Sequence, residues 1–233
     1  MFGKDFMSRL TQSALAAMID HTLLKPTATQ AEIVQLCQEA VRHGFASVCV
    51  HPYRVNLAAN EVHESAVKVC TVVGFPLGAN SSPVKAMEVI RALADGAHEI
   101  DMVLNLGALK DGADREVEGD IRAVVKASQG RLVKVILETA LLNEREIVRA
   151  CEISEAAGAG FVKTSTGFGG GGATVEAVRL MRKTVGDRLG VKASGGIRER
   201  AAMLALIEAG ATRIGTSNGV SLVQDSPPAG GDY

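Results

Sequence analysis

A lysine at the end of a short apolar segment is the residue of this sequence best placed for covalent chemistry. Lys163 follows Phe161 and Val162, and a turn of small hydroxyl residues and a glycine run at 169–172 come after it. Lysine is rarely buried without a partner, so one interpretation is a surface side chain whose amine stays in water. The other is an amine held beside an anion site, as a Schiff-base lysine working on a phosphorylated substrate would be.

Successive side chains of a strand point to opposite faces, and this strand parity places further charges on the same face as Lys163. In residues 132–138 the odd-numbered positions are aliphatic, which turns Lys134 and Glu138 to the opposite face. The same comparison on the other segments assigns one shared interior to Asp20, Ser47, Cys49, Glu99, Asp101, Lys163 and Lys192. Because isolated buried charges are costly, we expect Glu99, Asp101 and Glu138 to compensate the three lysines in one network.

This network could supply the parts of an imine-forming site. Schiff-base formation needs a neutral amine, and only about one ordinary lysine in two thousand is neutral at pH 7. A second ammonium nearby favours the neutral form, and Lys192 can supply that charge from the next strand. Asp101 can carry protons during imine and enamine formation, with Lys134, Asp20 and Cys49 in supporting positions. Paired charges that serve only as barrel core remain an alternative for Lys134 and Glu138.

Three small, amide-rich loops that follow consecutive apolar segments predict a phosphate site. Backbone amides in such loops approach anions closely, and the loops after the last two strands of a barrel often bind phosphate. Any one Gly-Gly turn is weak evidence, but three beside an inward lysine predict a phosphate-bearing ligand. The candidate binding residues are Thr166, Gly167, Gly195, Gly196, Arg198, Gly215 and Ser217.

Eight apolar segments, most of them followed by a helical pattern, must position these residues. After a short N-terminal helix around 12–17, the strands are predicted at 18–21, 46–50, 67–73, 98–103, 132–138, 160–163, 190–194 and 212–215. Capping and periodicity predict helices at 29–43, 83–95, 113–129, 143–157, 174–185 and 199–209. This α/β alternation favours a single closed (β/α)8 TIM barrel over an open doubly wound sheet, which would usually have fewer strands and would leave edges.

Composition agrees with one barrel domain and argues against several partners. The 233 residues are 47% hydrophobic and 22% charged with a net charge of -1, which is typical of a soluble globular chain. We expect residues 1–225 to form the barrel and residues 226–233 a flexible C-terminal tail. Neither nucleic acid nor membrane is an expected partner, and the spacing of histidines and cysteines predicts no metal site. The scattered cysteines suggest a reducing, cytoplasmic location.

The motifs resemble those of the deoxyribose-phosphate aldolase family over essentially the whole chain. The matching segments are residues 20–26, 73–78, 99–103, 133–139, 162–168 and 191–198. The resemblance implies a class I aldolase that reversibly splits 2-deoxy-D-ribose 5-phosphate into acetaldehyde and D-glyceraldehyde 3-phosphate without a metal or organic cofactor. It also implies a place in deoxynucleoside catabolism and a possible homodimer.

By position, the resemblance gives Lys163 the Schiff base, Lys192 the role of its charged neighbour, and Asp101 the proton relay. Thr166 would contact the substrate hydroxyl, and the glycine loops with Ser217 would line the phosphate. One departure is Phe168, which stands where some members have lysine, so phosphate selectivity is expected to be looser. Some members also place a C-terminal tyrosine in the site, and this chain ends in Tyr233.

Two other functions use some of the same residues. An inward lysine beside a phosphate site also fits a pyridoxal-phosphate protein, which would be coloured, whereas an aldolase without cofactor would not. A non-catalytic barrel that senses a sugar phosphate would release no acetaldehyde, and it has no need for two buried lysines.

Overall fold

The computed structural model describes residues 11–224, and these form a closed parallel barrel. Each strand pairs with its neighbours in chain order, and the first strand pairs with the last to close the ring. The strands are β1 (Ile19–Leu23), β2 (Ser47–Val50), β3 (Lys68–Val73), β4 (Glu99–Val103), β5 (Leu132–Ile136), β6 (Phe161–Lys163), β7 (Gly190–Ser194) and β8 (Arg213–Thr216). The predicted fold class is therefore confirmed.

Helices follow the strands on the outside of this ring. They are α1 (Gln12–Ala16), α2 (Gln30–His43), α3 (Val55–Val62), α4 (Ser82–Ala94), α5 (Leu106–Lys110), α6 (Asp114–Ala127), α7 (Glu144–Ala156), α8 (Val175–Val185), α9 (Arg200–Glu208) and α10 (Gly219–Gln224). Short 3-10 helices occupy Pro52–Arg54 and Thr139–Leu141. Capping boxes begin two of the helices, with Thr29 and Glu32 on α2 and Asn143 and Glu146 on α7.

The sequence prediction missed α3, α5 and α10. These helices have eight, five and six residues, so each offers at most about two turns over which a helical period could be seen. In α3 the apolar positions Val55, Ala58 and Val62 do face the core, although the segment carries no side-chain N-cap. Packing against the barrel therefore defines these short helices more than their own sequences do.

Aliphatic side chains fill the layer between strands and helices, as parity predicted. Val48, Ile100, Val135, Val162 and Val191 are all fully buried there. No helix among residues 11–224 has the length and apolarity needed to cross a membrane. The proposed tail at 226–233, its boundary at residue 225 and Tyr233 lie outside the described residues, so the domain division stays a prediction.

Candidate active site

Three lysines from neighbouring strands meet at the carboxylate of Asp101. Lys163 on β6 stands beside Lys192 on β7, and Asp101 on β4 stands beside Lys134 on β5. The Oδ2 atom of Asp101 lies 2.9 Å from the Nζ of Lys163 and 2.7 Å from that of Lys192. The Oδ1 atom lies 2.9 Å from the Nζ of Lys134. The residues that parity placed in one interior thus share one set of contacts.

A second layer of charges lies below this group, towards the start of the strands. Asp20 contacts Lys192 at 2.5 Å and Arg213 at 2.6 Å. Glu99 contacts Lys134 at 2.6 Å and Arg213 at 3.2 Å. Ser47 adds a hydrogen bond of 2.6 Å from its hydroxyl to Asp20. Asp20 and Lys134 therefore both make direct contacts within the group around Asp101.

The basic groups of this cluster outnumber its carboxylates. In the described part of the chain the cluster joins three carboxylates, Asp20, Glu99 and Asp101, to Arg213 and the three lysines. Four cations would leave a net buried charge, which is costly at sites that exclude water. The charges balance when one amine is neutral. Among the described residues Lys163 makes one ion pair, to Asp101, whereas Lys134 and Lys192 each contact further carboxylates.

The electrostatic surroundings keep the other members ionised. Burial alone would raise the pKa of Asp101, but Lys134, Lys163 and Lys192 outweigh it and hold that pKa well below its usual range. Burial alone would lower the pKa of Lys192, but Asp101 and Asp20 raise it above the usual value. The pKa of Lys134 is likewise raised by its carboxylates against the effect of burial. Asp101 is therefore ionised, and Lys192 remains a cation beside Lys163.

Cys49 lies on the interior wall, where it pairs in register with Cys70 of β3. Burial raises the pKa of Cys70 well above its usual range, so this residue stays a thiol, and it donates to Asp101 Oδ1 at 3.2 Å. The ligand atoms of Cys49, Cys70 and Asp101 lie within 4.8 Å of one another, the spacing of a possible metal site. The adjoining ammonium of Lys134, 3.4 Å from Cys70 Sγ, opposes a cation there.

The prediction that Glu138 compensates the lysines is wrong. The strand ends at Ile136, and Glu138 adopts a left-handed backbone conformation with φ 55° and ψ 59°. Its buried carboxylate accepts hydrogen bonds from both the hydroxyl and the backbone N–H of Thr166, the latter at 3.2 Å. Parity cannot be extended past the last strand residue, and Glu138 instead orients Thr166 at the carboxyl end of β6.

The loops predicted to bind phosphate come together after β6, β7 and β8. Gly167, Gly195 and Gly196 have φ values of 89°, 91° and 73°, which favour glycine. At the end of β8, a Cβ on Gly215 would approach Cε of Lys192 to 3.0 Å, so glycine leaves room for that side chain. Thr166 is buried, Ser217 is half-buried and Arg198 is exposed on the loop after β7.

From its sequence alone, the glycine run at 169–172 would be predicted to be a flexible lead into the next helix, but in the structure two of its glycines are closely packed. A Cβ on Gly172 would lie 2.4 Å from the carbonyl oxygen of Gly195, and one on Gly169 would lie 2.7 Å from the carboxyl carbon of Glu138. The backbone N–H of Ala173 donates to the same Gly195 carbonyl at 3.1 Å. These glycines let the loop after β6 rest directly on the loop after β7.

Sequence reasoning overlooked two interior residues and one buried ion pair. Arg213 alternates with Ile214 and could have been found by the parity test applied to β8. Cys70 could have been found in the same way on β3. Lys85 and Asp120 form a buried pair at 2.5 Å between α4 and α6, and nothing in their spacing of 35 residues predicts the contact.

One cavity lies apart from the lysine cluster. A space of about 480 Å³ lies between α7 and α8, lined by residues that include Leu142, Ile147 and Leu180. Its wall is mainly apolar in area and carries none of the lysines described above. The chemistry of the cluster, and not cavity size, marks the candidate site.

Comparison with known proteins gives one consistent answer. The family model described as DeoC/LacD family aldolase matches residues 14–225. A deoxyribose-phosphate aldolase from Geobacillus sp. (strain WCH70) is 60% identical over 214 residues, which is 91% of this chain and 96% of that protein. One from Listeria innocua is 58% identical over 216 residues, 92% of this chain and 97% of that protein.

Solved structures agree with this assignment. The deoxyribose phosphate aldolase from Aeropyrum pernix, described as a tetramer, superposes with a TM-score of 0.88 at 34% identity and covers 94% of both chains. An aldolase named QR15 superposes with a TM-score of 0.87 at 44% identity, covering 91% of this chain and 95% of that one. With a family model that spans nearly the whole barrel and relatives this similar, the chain belongs to the DeoC/LacD aldolase family.

Proposed function

We propose that this protein is a class I aldolase that reversibly cleaves 2-deoxy-D-ribose 5-phosphate to acetaldehyde and D-glyceraldehyde 3-phosphate. The observation that carries the proposal is the Lys163 amine 2.9 Å from an ionised Asp101, with the cationic Lys192 bound to the same oxygen. The relatives named deoxyribose-phosphate aldolase support the choice of substrate. Family membership also favours this activity over a pyridoxal-phosphate enzyme or a sugar-phosphate sensor.

The reaction follows from the chemistry of a neutral amine. The nitrogen of Lys163 attacks the C1 carbonyl of the open-chain sugar, and loss of water from the carbinolamine gives an imine. Removal of the proton from the C3 hydroxyl breaks the C2–C3 bond and releases D-glyceraldehyde 3-phosphate. The electron pair of that bond moves towards the imine and gives an enamine. Protonation at C2 and hydrolysis then release acetaldehyde and restore the amine.

Asp101 and Lys192 divide the electrostatic work of these steps. Asp101 contacts Lys163 directly and is held ionised, so it can pass protons to and from the carbinolamine, itself or through a water. Lys192 is held as a cation by Asp20 and Asp101, and its charge disfavours a second ammonium at Lys163. Lys134 and Arg213 complete the balance of charge through their contacts with Asp101, Asp20 and Glu99.

The substrate phosphate is assigned to the loops that follow β6, β7 and β8. Gly167, Gly195 and Gly196 adopt positive-φ conformations there that suit backbone amides to an anion, and Gly215 and Ser217 lie at the same end of the barrel. Arg198, exposed on the loop after β7, offers a charge at the rim. Thr166, oriented by Glu138, is assigned to the substrate hydroxyl.

Borohydride trapping tests the proposal directly. The protein is incubated with acetaldehyde or 2-deoxy-D-ribose 5-phosphate, reduced, and mapped by peptide mass spectrometry. We expect an adduct on Lys163 that is absent from Lys163→Leu, with Lys85, an equally buried lysine, unmodified as the internal control. Modification at another lysine, or at none, would contradict the assignment of Lys163.

We also propose a homodimer that works in the cytoplasm. Val84, Met87 and Ile90 are exposed apolar residues spaced three apart on α4, which supports a contact with a second copy. The four cysteines are free and buried, as is usual in a reducing compartment. Light scattering on Met87→Asp and on the unmodified protein tests the dimer, and equal masses would exclude this face.

The C-terminal Tyr233 remains a separate hypothesis. We propose that its phenol assists proton transfer at the enamine carbon. Deleting Tyr233 should then slow both turnover and the uptake of solvent deuterium into acetaldehyde. If both rates are unchanged, the residue has no such role.

A further inference from the structure

A third basic residue continues the row formed by Lys163 and Lys192. Lys163 on β6 pairs in register with Lys192 on β7, and Lys192 pairs with Arg213 on β8. Register partners on neighbouring parallel strands point to the same face of the sheet, so all three side chains enter the barrel interior. Arg213 therefore belongs to the same row of charges as the proposed Schiff-base lysine.

Two carboxylates and an aromatic ring hold the guanidinium of Arg213. Its Nη1 atom donates to Asp20 Oδ1 at 2.6 Å and to Glu99 Oε2 at 3.2 Å, and its Nη2 atom donates to Glu99 Oε1 at 3.4 Å. The guanidinium carbon lies 5.7 Å from the centroid of the Phe161 ring, and the side chain is 15% exposed. The guanidinium is thus fixed among the charges near the amino-terminal ends of the strands.

Arg213 stays charged at any pH at which the protein is folded. A guanidinium does not lose its proton in proteins, unlike the amine of a lysine. Burial alone would lower the pKa of Arg213, but Asp20 and Glu99 outweigh it and raise that pKa above its usual value. Arg213 is therefore a fixed cation, and any adjustment of charge in the cluster must come from another group.

The balance of charge in the cluster depends on this fixed cation. The titratable side chains that face the cluster come from all eight strands, and they are Asp20, Cys49, Cys70, Glu99, Asp101, Lys134, Lys163, Lys192 and Arg213. With both cysteines as thiols, its three carboxylates balance three cations. While Arg213 is one of these cations, two amines can be charged. Without it, the same carboxylates would balance all three lysines as ammonium ions.

We propose that Arg213 is a positioning residue whose fixed charge keeps the amine of Lys163 neutral, an inference that rests on the aldolase activity proposed above. Arg213 binds Asp20 and Glu99, which it shares with the lysines on β7 and β5. Those two lysines then rely more on Asp101, which also contacts Lys163. Less of its negative charge is left to stabilise an ammonium at Lys163.

The pH dependence of imine formation tests this role. The protein is incubated with acetaldehyde at a series of pH values, reduced with borohydride, and the adduct on Lys163 is quantified. For Arg213→Met we expect the profile to move up by about one pH unit, because two strand spacings of about 4.8 Å separate the two residues. Arg213→Lys keeps a cation beside the same carboxylates and should restore most of the profile. Arg188→Met, which removes an arginine with a side chain 60% exposed, should leave it unchanged.

The carboxylate partner supplies a variant with the opposite effect. Glu99→Gln removes a negative charge while Arg213 stays, so the surplus of basic groups grows and the profile should move to lower pH. The double variant Arg213→Met with Glu99→Gln loses one cation and one anion. Its profile should return close to that of the unmodified protein, and it leaves no carboxylate of this pair buried without its arginine.

Thermal melting shows which variants are folded. An unmoved profile in folded Arg213→Met would overturn the proposal, as would an equal shift in Arg213→Lys, which would assign the effect to shape instead of charge. If Arg213→Met does not fold, Glu99→Gln decides, and an unmoved profile there is the contrary result.

An ionised Cys49 is the rival means of balancing the fourth cation, because the hydrogen bond with Cys70 lowers the pKa of Cys49 against the effect of burial. In that case, the ultraviolet absorbance of the thiolate would fall in Arg213→Met while the Lys163 profile stayed in place, and the proposal would fail. Absence of any adduct on Lys163 in the unmodified protein would instead refute the proposed aldolase.

Discussion

Two sites with buried lysines in this barrel differ in how the positive charge of the lysine is compensated. Lys85, outside the strands, pairs with Asp120 at 2.5 Å and donates to the carbonyl of Val103 at 3.0 Å. Lys163, inside the strands, shares the carboxylate of Asp101 with two other lysines. Both are almost fully buried, so burial alone does not separate a structural lysine from a reactive one.

The difference is one of charge balance and position. The Lys85 pair matches one cation with one anion, and its alkyl chain packs against Gly74, where a Cβ would approach to 2.8 Å. The interior cluster brings more basic groups than carboxylates to the end of the barrel. A balanced pair stabilises a fold, whereas surplus basic groups favour one neutral amine that can react.

Replacing Lys163, the proposed Schiff-base lysine, should have the largest effect on activity. For Lys163→Leu we expect cleavage of deoxyribose phosphate to fall by about 10⁴-fold or more, because the covalent route is lost. For Lys85→Leu we expect the folded enzyme to retain most of its turnover. Steady-state assays corrected for the folded fraction check both. Equal losses in two folded variants would contradict the comparison.

Removing the neighbouring cation should have a smaller effect with a distinctive pH signature. In Lys192→Leu the charge that disfavours protonation of Lys163 is gone, so imine formation should slow by about 10²-fold and its pH profile should move to higher pH. Borohydride trapping at a series of pH values measures the shift. Lys192→Arg, which keeps the charge, serves as the control, and an unmoved profile in Lys192→Leu would remove Lys192 from its role.

Breaking the Lys85–Asp120 pair should lower the free energy of unfolding more than the other changes do. Lys85→Met leaves the buried carboxylate of Asp120 without its cation, and we expect a loss of about 3–5 kcal/mol in the free energy of unfolding. Replacing Asp120 by leucine in the same protein should recover most of that loss, since no charge then remains. Urea unfolding measures all three proteins. A double variant no more stable than Lys85→Met would show that the pair is not a self-contained unit.

A change of pH near neutrality should have the smallest effect of all, because it should barely alter the stability of the fold. Asp20 and Asp101 have lowered pKa values in the folded state, so their stabilisation is present above about pH 4 and is lost as pH falls below it. Lys134 and Lys192 have raised pKa values, so the stabilisation that they contribute is lost only as pH rises above about 10. Melting temperatures across the pH range should show a plateau between these limits. A maximum confined to acid pH would contradict the network.

The sequence was most informative where one simple rule controlled the structure. Parity placed Asp101, Lys134 and Lys192 in the interior because each lies within a strand whose alternate residues are aliphatic. The same rule failed at Glu138, where the chain leaves the sheet and turns left-handed. Contacts such as Phe75 with Phe168, or Lys85 with Asp120, join elements far apart in the chain, and no local pattern encodes them.

The close contact between Gly172 and Gly195 bears on how tightly the protein can hold its ligand. Because the loops after β6 and β7 already rest on each other, with Ala173 bonded to Gly195, little backbone freedom is left to lose when a phosphate arrives. Preorganised sites bind more strongly for the same contacts, since the entropy of ordering has been lost during folding. For a phosphate bound as proposed above, the glycines after Lys163 would increase affinity through the rigidity of the loops they join.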